Sequence, residues 1–241
     1  MSENMAAAIR TVAETGSTND DLAALAREGA PEGVWIRAVR QSGGRGRQGR
    51  EWHSPPGNLY ASTLVRLRAS DPPAPTLALV AAVALHEVAS VLVVAGMIIE
   101  IKWPNDLLVA GAKLSGILLE RVDDSIVVGF GVNLSDHPDE IARPAINMGM
   151  LGGVPDPARF LDALAESFAR WVGVWRDEGL EPVRIRWLAA AHPIGTALST
   201  HTAGGGRVDG LFDGLDESGA LRLRLPDGTA KVIHAGDVFL I

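Results

Sequence analysis

Residues 41–57 read QSGGRGRQGREWHSPPG, and Gly44-Arg45-Gly46-Arg47-Gln48-Gly49 within them spells the G-x-G-x-x-G of a dinucleotide-binding turn. A true fingerprint of that kind follows a strand, opens a helix at its third glycine and has an acidic residue about 20 positions on for a ribose. A strand-like run at 34–39 does precede the stretch, but Pro55-Pro56-Gly57 forbids a continuing helix after it. The dinucleotide fold is therefore set aside. An RNA-binding Arg-Gly tract would be longer and lie in a disordered region, whereas this stretch is clamped between the strand-like runs 34–39 and 59–67. Arg45, Arg47 and Arg50 repel one another unless a bound anion or nearby carboxylates gather them, and the glycines let backbone N–H groups approach the same anion. The stretch reads as a loop that closes over phosphate or carboxylate, in preference to a merely solvated surface loop.

Outward from this loop, strand-like runs at 34–39, 59–67, 98–103, 114–120 and 126–134 outnumber helical patterns. Helices are expected at 19–28, with Ser17 or Thr18 as cap, and at 157–178, with Phe160, Leu164, Phe168, Trp171 and Trp175 on its apolar face. Residues 77–99 are almost wholly apolar, but His86 and Glu87 at their middle and Gly96 near their end argue for a buried helix capped by Thr76 rather than a membrane span. This pattern predicts an α+β fold, a mixed β-sheet with helices on one side. From about Ile194 the texture changes to short strands and glycine turns at 204–206, 217–219 and 226–228, the pattern of a small β-barrel. Two domains are expected, 1–192 and 193–241, the smaller packed against the larger because so short a segment has a thin core.

Composition narrows the function classes. The chain of 241 residues has 47% hydrophobic content, enough to bury a real core, and no cysteine, so it has no disulfide framework, thiolate metal site or cysteine nucleophile. With no basic, apolar leader at its N-terminus, it is expected to be cytoplasmic, with no membrane partner. A net charge of −7 argues against nucleic acid as the main partner.

Three further stretches carry chemistry. In KWPNDLLVAGAKLSGILLE, residues 102–120, Lys102 and Lys113 flank a turn cornered by Asn105 and Asp106, so both amines can face one pocket; an ordinary hairpin with surface lysines is the alternative. Gly129 and Gly131 interrupt an apolar strand, which marks either a bulge or the close approach of a ligand or another chain segment. Ser17-Thr18-Asn19 offers more hydroxyls than one helix cap uses, and the spare groups suit a polar ligand head.

Together these stretches resemble the biotin protein ligases of the biotin/lipoate ligase superfamily. The likeness rests on Ser17-Thr18-Asn19, on Gln41 with the Arg-Gly loop and Trp52, on Lys102 to Asp106 with Lys113 to Leu118, and on Gly129 to Asn133, in matching order and spacing. It also takes in the C-terminal segment as that family's SH3-like appendage. It implies activation of biotin by MgATP to biotinyl-adenylate and pyrophosphate, then transfer to a lysine of a biotin carboxyl carrier protein, with no enzyme nucleophile. By the same resemblance Ser17, Thr18, Asn19 and Gln41 bind the ureido head, while Arg45, Gly46 and Arg47 fold over the carboxylate and phosphate. Lys113, beside Gly116, bridges biotin carboxylate and α-phosphate and is the principal catalytic group, with Arg45 and Arg47 assisting. Lys102 and Arg50 hold pyrophosphate, Trp52, Asn105 and Asn133 seat the nucleotide, and Asp106 engages magnesium or its waters. A homodimer or a monomer–dimer equilibrium is implied.

Two departures from the family pattern stand out. Only sixteen residues precede Ser17, too few for the DNA-binding domain of some members, so no DNA binding is expected. Asp213 stands where some members bring a basic residue to the nucleotide, and Lys231 and Arg207 are candidate substitutes. A lipoate or octanoate ligase on the same scaffold, and a non-catalytic biotin or nucleotide sensor, are the competing readings.

Overall fold

The computed structural model describes residues 8–138, 144–201 and 206–241. The first seven residues and the Gly204-Gly205 part of the expected turn lie outside them. Seven strands, β1 (Ile9–Thr15), β2 (Trp35–Gln41), β3 (Leu59–Arg66), β4 (Ile99–Lys102), β5 (Asp106–Val109), β6 (Ala112–Val122) and β7 (Ser125–Val132), form one sheet in the order β1-β2-β3-β7-β6-β5-β4. The sheet is mixed because β1 runs parallel to β2 while the remaining pairs are antiparallel.

Side chains alternate across a strand, and here both faces are apolar. Trp35, Ala61, Val65, Ile126, Val128 and Phe130 turn to one face, and Ile36, Leu64 and Val127 to the other. The first face is roofed by α2 (Leu77–Ser90) and α3 (Pro157–Asp177), where Phe168 stands edge-on to both Trp35 and Phe130. The short helix α1 (Thr18–Arg27) covers part of the second face with Leu22 and Ala26. The long helices thus share one side as expected, and α1 takes the other. Ten residues of helix reach about 15 Å. Beyond its N-terminus the second face stays open, and the site lies there.

The apolar run at 77–99 splits. Helix α2 stops at Ser90, a turn through Gly96 at φ 93° follows, and Ile99 opens β4. Thr76 makes no side-chain cap; its hydroxyl donates to Pro73 O at 2.6 Å and accepts Trp175 Nε1 at 2.8 Å. A further helix, α4 (Leu180–Leu188), leads to the C-terminal strands β8 (Ala197–His201), β9 (Arg207–Leu215), β10 (Leu221–Arg224), β11 (Ala230–Ile233) and β12 (Asp237–Leu240). These form an antiparallel sheet in the order β11-β10-β9-β8-β12. Their core residues Leu198, Phe212 and Leu223 join the same apolar cluster as Trp187 and α2, and Trp103 Nε1 donates to Gly219 O at 3.2 Å. The two sheets therefore share one core.

Candidate active site

A cavity of about 520 Å³, within the range of small-molecule sites, opens on the uncovered sheet face at the N-terminus of α1. The site residues singled out between Ser17 and Asn133 all line it. Its floor is glycine. A Cβ at Gly131 would lie 2.6 Å from Trp52 Cε2, one at Gly116 would lie 3.2 Å from Trp52 Cζ3 and 3.1 Å from Lys113 Nζ, and one at Gly129 would collide with the Asn19 carbonyl oxygen. The strand glycines are thus required by side chains laid across them, the close approach their position suggested. Lys113 Nζ sits 5.3 Å from the Trp52 ring centroid, a cation–π contact.

The Arg-Gly stretch folds as a tight hairpin, not a turn into a helix. Gly46 N donates to Arg50 O at 2.7 Å and Trp52 N to Gly44 O at 2.9 Å, around one turn of 3₁₀ helix at Arg47–Gly49. The space above Gly44 is closed: a Cβ there would meet Trp52 O at 2.7 Å. Each arginine has a carboxylate partner. Arg45 makes a bidentate pair with Asp20 and reaches Glu120 at 3.1 Å; these bonds, Asp20's first, raise its guanidinium further above its ordinary range and hold the Asp20 carboxyl below its own. Arg50 pairs both oxygens of Asp237 at 2.8 Å, and Arg47 Nη2 donates to Gly236 O at 3.2 Å.

At the α1 end the groups are uncharged. Ser17 is the N-cap of α1 but makes no side-chain cap bond, so its hydroxyl is spared for the pocket it lines. Thr18 N donates to Gln41 Oε1 at 2.8 Å, and Gln41 Nε2 donates to Ser54 Oγ at 3.3 Å. Thr18 Oγ1 lies 2.7 Å from Ser62 Oγ, which donates to Asn19 Oδ1 at 2.6 Å; Asn19 Nδ2 donates to Glu120 Oε2 at 2.6 Å.

At the other end Asp106 is buried between two lysines, 3.0 Å from Lys102 Nζ and 2.7 Å from Lys113 Nζ. Burial pushes its carboxyl up, but the Lys113 and Lys102 charges outweigh that and hold it below the usual carboxylate range. Lys102 Nζ also donates to Val238 O at 3.0 Å. Asn105 Nδ2 bonds Ile117 O, fixing the corner, and Asn133 Nδ2 donates to Lys113 O and Ile146 O at 3.3 and 3.1 Å. Asp106 therefore serves the lysines. Among the described residues no three His, Asp or Glu side chains gather as a metal site.

Several contributors escaped the sequence reading. Ser62 hides in the apolar run of β3, Glu120 ends the apolar run of β6, and Asp237 to Phe239 bring β12 to the cavity wall from the far end of the chain. Asp213 pairs with Arg222 at 2.7 Å and Arg207 with Asp209 at 2.8 Å; neither they nor Lys231 line the cavity.

The sequence model of the Biotin/lipoate A/B protein ligase family matches residues 13–134, and that of the Biotin protein ligase C terminal domain matches residues 200–241. The chain is similar to the biotin--[acetyl-CoA-carboxylase] ligase of Paracoccus denitrificans, 39% identical over 95% of this chain and 98% of that one. It is similar to the enzyme of the same name from Mycobacterium tuberculosis, 35% identical over 94% and 86% of the two chains. The fold is that of the biotin protein ligase from Aquifex aeolicus solved with biotin and ATP, with a TM-score of 0.86 over 97% of this chain and 99% of that one at 24% identity.

Proposed function

The chain belongs to the biotin/lipoate A/B protein ligase family, and we propose that it is an ATP-dependent biotin protein ligase. The observation that carries this reading is one cavity with an uncharged, hydrogen-bonding end at Ser17, Thr18, Asn19 and Gln41 and a cationic end at Lys102, Lys113, Arg47 and Arg50, with Arg45 of the same hairpin reaching back to Asp20 and Glu120. A polar, neutral ring with a carboxylate tail, joined to a triphosphate, matches both ends at once.

In the first half-reaction a carboxylate oxygen of biotin attacks the α-phosphorus of ATP, the bond from that phosphorus to the bridging oxygen breaks, and pyrophosphate leaves. Lys113, flanking the pocket floor, supplies positive charge where carboxylate and phosphate join, and Asp106 keeps its ammonium aimed there. Lys102 and Arg50 meet the departing pyrophosphate, and Trp52, Asn105 and Asn133 seat the nucleotide. Arg45, Gly46 and Arg47 close over the mixed anhydride. In the second half-reaction the amine of a carrier-protein lysine attacks the acyl carbon, the acyl–phosphate bond breaks, AMP leaves, and the amine gives up a proton. Magnesium enters with the triphosphate. The carrier is a biotin carboxyl carrier protein domain, the enzyme works in the cytoplasm as a monomer or homodimer, and 1–192 and 193–241 are its catalytic and C-terminal units.

A lipoate or octanoate ligase would need an apolar head pocket, and the Thr18–Gln41–Ser62–Asn19 cluster does not provide one. The test is pyrophosphate release from ATP with biotin, lipoate and octanoate in turn. Release with biotin alone is expected; release with octanoate in preference, or with none of the acids, would overturn the reading.

A further inference from the structure

The hydrogen bonds at the α1 end run in a single direction, and their origin is a group outside the head pocket. A carboxylate only accepts, so Glu120 Oε2 obliges Asn19 to present its NH₂ to it, which turns the Asn19 carbonyl towards Ser62. Ser62 then spends its one proton on Asn19 Oδ1 at 2.6 Å. At 2.7 Å from Thr18 Oγ1, Ser62 Oγ is left to accept, so the Thr18 proton points at Ser62. Gln41 Oε1, 3.2 Å from the same hydroxyl, already takes Thr18 N at 2.8 Å. What Thr18 has left for the pocket is a lone pair.

From this we infer that Glu120, through Asn19 and Ser62, fixes Thr18 as a hydrogen-bond acceptor towards the ligand, so that the site selects an acid whose head presents an N–H there. Glu120 and Ser62 are positioning residues, acting through Thr18 without touching the ligand. Ser62 and Asn19 are buried, so water does not scramble the direction. The inference rests on the biotin-activating reading and deepens it: a ring oxygen in place of the N–H would set two acceptors against each other.

The test compares biotin with its two cyclic carbamate analogues, each with one ureido N–H replaced by oxygen, by kcat/KM for pyrophosphate release. This readout counts adenylate whether or not the loop retains it. Wild-type protein run first with biotin separates the two claims, since no release there defeats the proposed function, not this inference. Wild type is expected to reject one analogue strongly. Ser62→Ala leaves the Thr18 proton only the longer contact to Gln41 Oε1, so that it can turn and donate to a ligand, and Glu120→Gln, whose single carbonyl oxygen Arg45 claims, turns its NH₂ to Asn19 and reverses the chain. Each variant is expected to narrow the biotin-to-analogue ratio roughly five- to tenfold, the worth of one hydrogen bond. The double variant should narrow it no further, because both cut one chain. If Ser62→Ala does not fold, Glu120→Gln carries the test alone. Unchanged ratios, equal losses for biotin and analogue, or effects that multiply in the double variant would overturn the inference.

Discussion

At the α1 end of the pocket, Thr18, Gln41, Ser62 and Asn19 are neutral and each is engaged by its neighbours; at the β5–β6 end, Lys102, Lys113, Arg47 and Arg50 are cations held by Asp106, Asp237 and main-chain carbonyls. The first end is preformed, because its protons already have their places. The second is held by carboxylates of two kinds: Asp106 fixes the two lysines, while Asp237 occupies arginine coordination that a ligand's own anions would take. On the proposed function, recognition at one end needs only insertion, whereas at the other the arginines exchange partners. Lesions at the two ends should therefore differ in kind: specificity and KM on one side, stability and the chemical step on the other.

The harshest way to break the contrast is to remove the buried carboxylate. Asp106→Ala leaves two cations, one of them the buried Lys102, without their carboxylate. A loss of about 3–5 kcal/mol is expected, read from urea unfolding. The same group sets an acid limit. Its folded-state value lies below the ordinary 3.8, so its contribution is complete above that pH and disappears as the pH falls through the lower folded value. Asp106→Asn should flatten that part of the stability profile, and an unaltered acid limb would show that the lysines do not need it.

Lys113→Ala tests the chemical step. Loss of a cation from developing charge should lower adenylate formation by about 10²–10³-fold, with biotin binding affected less. Pyrophosphate release at the wild-type rate would remove Lys113 from its role.

Arg47→Gly sharpens the contrast between making and keeping the intermediate. Its guanidinium has two charge-assisted bonds to offer, and losing about 3 kcal/mol of hold would speed escape of the anhydride by roughly two orders of magnitude. The mutant should form adenylate yet label lysines of albumin in the absence of carrier. Normal adenylate formation with albumin as unlabelled as with wild type would contradict it.

The smallest effect concerns Asp237. Its pair with the half-exposed Arg50 is screened by solvent, so Asp237→Asn should cost under about 1 kcal/mol. Amide exchange across 45–50 in the ligand-free protein should nonetheless rise. Unchanged exchange would mean that the hairpin's own bonds at Gly46 and Trp52, not β12, keep it folded.

Much of this was legible in the chain because local rules and function agree. The proline pair after Gly49 excluded a helix, and strand glycines foretold a close approach. The Lys102–Lys113 turn placed both amines in one cavity. What escaped depends on distant contacts. β1 is an edge strand with a mostly exposed pattern and so lacks a period-2 apolar signal. β5 was concealed because its opening residue, Asp106, reads as turn chemistry yet is buried by two lysines. Nothing in the residues around Ser62 or Asp237 says that one will face α1 and the other the arginine hairpin. Periodicity shows which face of an element is apolar, but not what the polar remainder will meet.

Trp52 has a consequence for measurement. It lies across Gly116 and Gly131 with Lys113 5.3 Å from its ring, and its buried Nε1 has no hydrogen-bond partner among the described residues. Trp35, Trp103, Trp175 and Trp187 are sealed in the core. Their emission supplies a steady background against which an indole that loses a neighbouring cation, or gains a stacked purine, changes in intensity and wavelength. The protein thus carries its own optical gauge of occupancy, and Trp52→Phe, which keeps a ring over the glycines, identifies which part of the signal belongs to the pocket.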